Sequence, residues 1–274
     1  MRRARVVGKG LHGVGLLAIL VFTVFPFYWM VSSSLKDQID LLASPPMWLF
    51  TPTLSNYREI FQDPRVTSGV LNSLVVSSCT TLLALAIGTP AAYALARFEF
   101  RGKADLWFWF ISNRMISPIV LALPVYLVAQ QFRLLDTYLV LILMYLTFTL
   151  PIAVWICTDQ FRSIPPDLEQ AARLEGAGQL QIFWRIYLPL GLPGVAVSAI
   201  FAFIFSWNEL LYALVLTRRT VQTAPVVATS FMTGYELPWG KIMATGTVIV
   251  LPVTIFALLV SRHMVRGLTM GATK

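Results

Sequence analysis

The 274-residue sequence predicts an all-α, polytopic membrane protein. Three observations carry that expectation. First, 57% of residues are hydrophobic and 12% charged, about half the charge of an average soluble domain. Second, mean hydropathy is +0.72. Third, the apolar residues gather into runs of about 20 or more, the length a membrane-spanning helix needs. An ordinary soluble enzyme, a disordered chain and a nucleic-acid binder are thereby excluded. The net charge of +8 must be read through its distribution across loops.

Six such runs are expected, over about 11–34, 70–96, 106–130, 138–157, 190–216 and 242–260. The first follows the basic start MRRARVVGKG. It is too long for a signal-peptide apolar region and lacks a cleavage site, so it is expected to stay as an anchor helix. Six spans put both termini on one side. That side carries 13 basic residues, among them Arg2, Arg97, Arg101, Arg185 and Arg262, against 7 on the other. The positive-inside rule makes both termini cytoplasmic. The chain then divides into a basic tail (1–10), a first span (11–34) and an extracytoplasmic loop (35–69). A five-helix core (70–263) follows, including a cytoplasmic loop at 158–189, and then a second tail (264–274). Pro118, Pro124, Pro151 and Pro252 are expected to kink their helices. The outer aromatic residues near SPPMWLF and Trp239 suit either an interfacial anchor or a docked protein.

The loop between the fourth and fifth spans, RSIPPDLEQAARLEGAGQLQIFWRIYLPLGLPG, has the most structure to read. Ser163 can cap a helix whose first turn holds Pro165, Pro166, Asp167 and Glu169, and Gly176 can end it in left-handed geometry. Leu168, Ala171, Ala172 and Glu175 share a face by spacing, and Ala172 with Gly176 would admit another backbone. Ile182, Phe183, Trp184 and Ile186 lie on a second short helix before Pro189. A soluble protein with a groove could grip this helix–turn–helix; a connector resting on lipid headgroups fits the spacing as well.

Within the spans, Arg114 falls roughly 12 Å from the start of the third run. A central arginine costs about 2.5–3.5 kcal/mol, so it should face protein or water. With Asn113 it could line a solute path or pair with a neighbouring subunit. Trp207, Asn208 and Glu209 could line an outer gate, or Glu209 could bond locally. Gly8-Lys9-Gly10-Leu11-His12-Gly13 is a literal G-x-G-x-x-G, but it follows no strand and leads into a span, so the dinucleotide context is missing. No phosphate-cradling G-x-x-x-x-G-K-[ST] occurs. His12 and His263 have no second ligand nearby, and Cys79 and Cys157 form neither a disulfide framework nor a metal spacing. A self-sufficient secondary carrier is an alternative, but it often shows internal repeats and paired intramembrane acids; neither is evident here. A structural anchor leaves the helix–turn–helix unexplained.

Ala171-Ala172, Gly176 and Ile186-Tyr187-Leu188-Pro189 reproduce the spacing of the EAA motif, so the chain resembles the inner-membrane permease subunits of ABC importers. Gln170 stands where the motif has Glu, with Glu169 just before it. SWNELLYALVLT, SNRMISP, LLDTYLVLILMYLTFTLP and RHMVRGLTMGA further resemble the smaller permease of the maltose type, in the sugar and polyol branch. The resemblance implies a type I importer permease fold in a bacterial inner membrane. It also implies a second permease as heterodimer partner, an ATPase dimer that binds ATP and Mg, and an extracytoplasmic solute-binding protein. The chain itself would hold no cofactor. Gln170, Ala171, Ala172, Gly176, Ile186, Leu188 and Pro189 are carried over as ATPase-coupling residues. The face argument adds Glu169, Glu175, Phe183 and Trp184.

Overall fold

The computed structural model describes residues 2–113, 116–232 and 237–269, with side chains described outside 2–12, 111 and 259–269. Among the described residues it is all-helical. Five helical stretches are long and apolar enough to cross a membrane: Gly13–Ser34, Pro64–Arg97, Tyr138–Arg162, Gln179–Trp207 and Trp239–Leu258. The chain forms two compact units, Met1–Val66 with Ala228–Val250, and Thr67–Val227 with Leu251–Lys274.

In the first unit, α1 (Arg2–Ser34) runs into a segment with two short helices, α2 (Gln38–Leu42) and α3 (Ser55–Gln62). Side chains 13–28 of α1 are exposed throughout, as an apolar surface made for lipid would be. The segment expected as an outer loop is tied down by backbone capture. Asn56 Nδ2 donates to the carbonyls of Ser34 (3.0 Å) and Lys36 (2.9 Å), and Tyr57 shares a 2.7 Å hydrogen bond with Ser34. Lys241, on α13 (Trp239–Thr269), pairs with Glu59 at 2.6 Å.

The second unit is built on α4 (Pro64–Arg97), α7 (Tyr138–Arg162) and α10 (Leu188–Trp207). Glycines on α10 let side chains of α7 rest directly on its backbone, the small-residue solution where no hydrophobic effect drives helices together. A Cβ on Gly191 would lie 2.3 Å from the Phe161 ring, and one on Gly194 would lie 2.6 Å from Gln160. Cys157 and Ser198 meet at 3.3 Å in the same seam.

Two of the expected runs differ from expectation. Residues 106–130 form two helices, α5 (Lys103–Ser112) and α6 (Pro118–Gln131), not one. Ser117 precedes a proline, which disfavours the helical region, and it is extended at φ −66°, ψ 128°. Pro118 therefore starts α6 and does not kink a longer helix, whereas α6, α7 and α13 run through Pro124, Pro151 and Pro252. The fifth run likewise ends at Trp207, and two separate short helices, α11 (Leu211–Leu216) and α12 (Ala224–Ser230), follow it.

A loop hub near α11 had no signal in the sequence. Asp136, at φ 59°, accepts hydrogen bonds from the backbone N–H groups of Arg218, Arg219, Thr220 and Val221 at 3.0–3.2 Å. Asn72 Nδ2 holds the carbonyls of Thr220 and Gln222, and its Oδ1 accepts from the Tyr138 hydroxyl at 2.6 Å. Partial burial pushes the Asp136 carboxyl up, but the four donors outweigh it and hold the group well below the usual carboxylate range.

Candidate functional site

The loop at 158–189 folds as a helical hairpin. Helix α7 ends with Ser163 as its C-cap; the Ser163 hydroxyl donates back to the Gln160 carbonyl. Ser163 thus closes the preceding helix and does not open the next one. Its φ of −73° and ψ of −16° continue α7, leaving Pro165 at the start of α8 (Pro166–Leu174) in extended geometry. Prolines before and at the first turn and the acids Asp167 and Glu169 suit a helix start, where N–H groups are orphaned and the dipole is positive.

Gly176, at φ +85°, ends α8. The Ala177 N–H reaches the Ala172 carbonyl at 2.9 Å, and the Gly176 N–H reaches the Arg173 carbonyl at 3.0 Å. This pair of bonds is the Schellman arrangement, which needs a left-handed residue at this position. A Cβ on Gly176 would meet nothing within 4 Å, so glycine is required here by backbone conformation and not by crowding. Helix α9 (Gln179–Ile182) then passes through a π turn at Phe183–Tyr187 directly into α10.

The orientation of α8 is set by Glu169, whose charged side chain is only 11% exposed. Arg173 donates from Nε (3.2 Å) and Nη2 (2.6 Å) to its Oε1, and the Tyr187 hydroxyl donates to Oε2 at 2.8 Å. Arg97, at the end of α4, stands 4.0 Å from Oε2. The Arg97 guanidinium lies over the Tyr187 ring at 4.7 Å and donates to the Ile164 carbonyl. Burial alone would raise the Glu169 carboxyl. The bonds from Arg173 and Tyr187 and the two arginine charges prevail, holding it below its ordinary value. Beneath the clamp, Tyr93, Phe161, Phe183 and Tyr187 pack ring on ring with centroids 4.8–6.5 Å apart. Tyr93 also donates to Gln179 at 3.2 Å.

This geometry sorts the expected coupling residues into two groups. Glu169, Ala172, Phe183, Ile186 and Leu188 face inward and are buried or half-buried. Gln170, Ala171, Glu175, Gly176, Trp184 and Pro189 are exposed, as is Leu168. The proposed backbone approach over Ala172 is thereby corrected, because Ala172 packs on the chain's own aromatic cluster. The exposed set also includes Leu174 (90% exposed) and Leu180 (77%), large apolar side chains on the same hairpin as Trp184 (61%). The sequence shows Arg97 only as a cytoplasmic charge and Tyr187 only as a position inside the motif, and nothing in local spacing links either of them, or Tyr93, to Glu169.

Of the residues considered for a solute path, Arg114 lies outside the described residues. Asn113 donates to the Thr147 carbonyl at 2.9 Å. Trp207 is buried and stacked on Phe203 with centroids 5.7 Å apart. Asn208 closes α10 on the Ile204 carbonyl, and the Glu209 carboxylate accepts the N–H groups of Tyr212 and Ala213 in the first turn of α11.

Apolar helices of spanning length, with a clamped hairpin between two of them, define a multi-pass membrane protein with an ordered helix on its surface. The chain belongs to the family of inner membrane components of binding-protein-dependent transport systems, whose description matches residues 84–270. It is 39% identical over 260 residues to the trehalose transport system permease protein SugB of Mycobacterium tuberculosis, covering 93% of this chain and 94% of that one. It is 32% identical over 276 residues to the trehalose/maltose transport system permease protein MalG of Thermococcus litoralis, covering 99% of each. Its fold resembles a chain of a bacterial ABC transporter that imports the acidic polysaccharide alginate. That likeness has a TM-score of 0.77 and 22% identity, and covers 96% of this chain and 98% of that one.

Proposed function

We propose that this chain is a permease subunit of an ATP-driven carbohydrate importer in a bacterial inner membrane, and that the α8–Gly176–α9 hairpin docks into its ATPase. The observation that carries this reading is the pairing of a buried ionic clamp with an exposed apolar ridge. A hairpin whose first helix is pinned from beneath by Glu169 and Arg97 exposes Leu168 and Leu174 on α8, Leu180 on α9 and Trp184 on the π turn, apolar side chains of the kind that helix-in-groove recognition uses. A connector resting on lipid would gain nothing from such rigidity.

In this reading α5 and α6 together make one crossing, giving six spans with both termini cytoplasmic. The relatives' transport of trehalose and maltose supports a carbohydrate solute. The family's dependence on a binding protein supports an extracytoplasmic partner. A second permease completes the pathway. ATP and Mg belong to the ATPase dimer, and this chain contributes positioning and force transmission without chemistry of its own.

The test is reconstitution in proteoliposomes with and without the partners. The complete assembly should take up trehalose only with ATP and the binding protein, and the isolated chain should neither hydrolyse ATP nor move solute. Ion-gradient-driven uptake by the isolated chain would overturn the importer reading in favour of a secondary carrier.

A further inference from the structure

The first unit contains a cavity of about 240 Å³ at the C-terminal end of α1, lined by Trp29, Ser33, Lys36, Asp40, Trp239 and Met243 among others. Its polar groups are unusual for a surface dimple. Lys36 is 3% exposed, yet no carboxylate pairs with it among the described residues. Its ammonium donates to the Met47 carbonyl at 2.6 Å and sits over the Trp29 and Phe50 rings at 5.0 and 4.9 Å. Burying a cation on one carbonyl and two ring faces is costly and leaves donor capacity over. The Ser33 hydroxyl is buried without a hydrogen-bond partner, and the Asp40 carboxylate has no hydrogen bond or ion pair among the described residues.

The signs of these groups select the occupant. An anion would meet Asp40 and a cation would meet Lys36, whereas a neutral polyhydroxylated ring finds a donor, an acceptor and indole faces for its C–H surface. The volume lies below that of drug-sized pockets, so it suits one ring. We propose that this cavity binds a single pyranose-sized, neutral, hydroxyl-rich ring, clasped between Trp29 and Trp239 with Lys36 and Asp40 on its hydroxyls. The choice of a sugar over other polyols rests on the carbohydrate reading above; the geometry of the cavity does not. Such a site would hold one unit of the solute beside α1, separate from the coupling hairpin.

The probe is methyl glucoside, followed by saturation-transfer NMR on the assembled importer in nanodiscs without its binding protein. Transfer from aromatic protons to the probe is expected. Asp40→Asn and Trp29→Leu should each weaken binding about tenfold, the loss of one bond to a charged group or of one aromatic wall. Asp40 lies on the short surface helix α2, so its variant keeps the fold, which co-purification of the subunits checks. Absence of transfer, equal binding in both variants, or displacement of the probe by sulfate would each overturn the site. ATP-driven trehalose uptake is measured in the same preparation after adding the binding protein. Uptake without a pocket signal sinks the pocket alone, and a pocket signal without uptake sinks the importer reading alone.

Discussion

Glu169→Ala is expected to release α8 from the bundle while leaving the spanning helices in place. Removing one partner of a buried ionic cluster typically costs 3–5 kcal/mol, because the remaining charges stay behind uncompensated. Arg97 is such a charge, with 13% of its side chain exposed, whereas Arg173 is half exposed and its loss is screened. The lower figure applies, about 3 kcal/mol. Docking would have to restore that order, so affinity for the ATPase should fall about a hundredfold. Amide exchange across 166–174 should quicken and ATPase co-purification should fail, with membrane insertion unchanged. Glu169 is held below its ordinary carboxyl value, so its contribution is complete above the unfolded pKa, about 4.3. It is lost only as pH falls further, through the folded value. Glu169→Gln keeps hydrogen-bonding capacity but should remove this acid dependence.

Asp136→Ala should produce the second large effect, unfastening the 217–223 loop. Four backbone N–H groups lose one shared acceptor. Water can replace it at Arg218, Arg219 and Thr220, which are exposed; Val221 is 2% exposed and has no such recourse. One charge-assisted bond lost at a buried donor, with partial losses at the others, amounts to about 3 kcal/mol. Asp136→Asn tolerates the positive φ and keeps one acceptor, so it should cost less than half as much. Thermal unfolding of the purified assembly, with limited proteolysis at Arg218 and Arg219, separates the two variants. Equal stability in all three proteins would show that the hub is incidental.

Apolar run length revealed five of the spanning stretches because burial in hydrocarbon demands it of every such helix. The same measure passed over the break at Ser117, since hydropathy averages across a backbone conformation that only the Ser117–Pro118 peptide imposes. Spacing in α8 identified faces but not which of them turns inward. Leu168, Ala171, Ala172 and Glu175 align on paper, yet Ala172 packs inward while Leu168, Ala171 and Glu175 face out. The choice was made by Glu169, whose partners Arg97 and Tyr187 arrive from other helices and are joined to it only by the fold. The helix end at Gly176 was legible, because left-handed geometry is a local demand. Asp136 was not, since its four donors lie more than eighty residues away.

If the ATPase grips the exposed side of the hairpin, a charge placed there should break the contact while the Glu169 clamp stays intact. Leu174 is 90% exposed, so Leu174→Asp should leave folding within about 0.5 kcal/mol of the unaltered protein. Trp184 is 61% exposed but edge-on to Phe183 at 5.2 Å, so Trp184→Asp should cost about 1 kcal/mol more. The measurement is co-purification of the ATPase with each variant from membranes, alongside solute-stimulated ATP hydrolysis in the reconstituted assembly. Loss of both, with the two permeases still associated, is the predicted result. Full ATPase retention and hydrolysis in both variants would contradict it and reduce the hairpin to a connector between two spans.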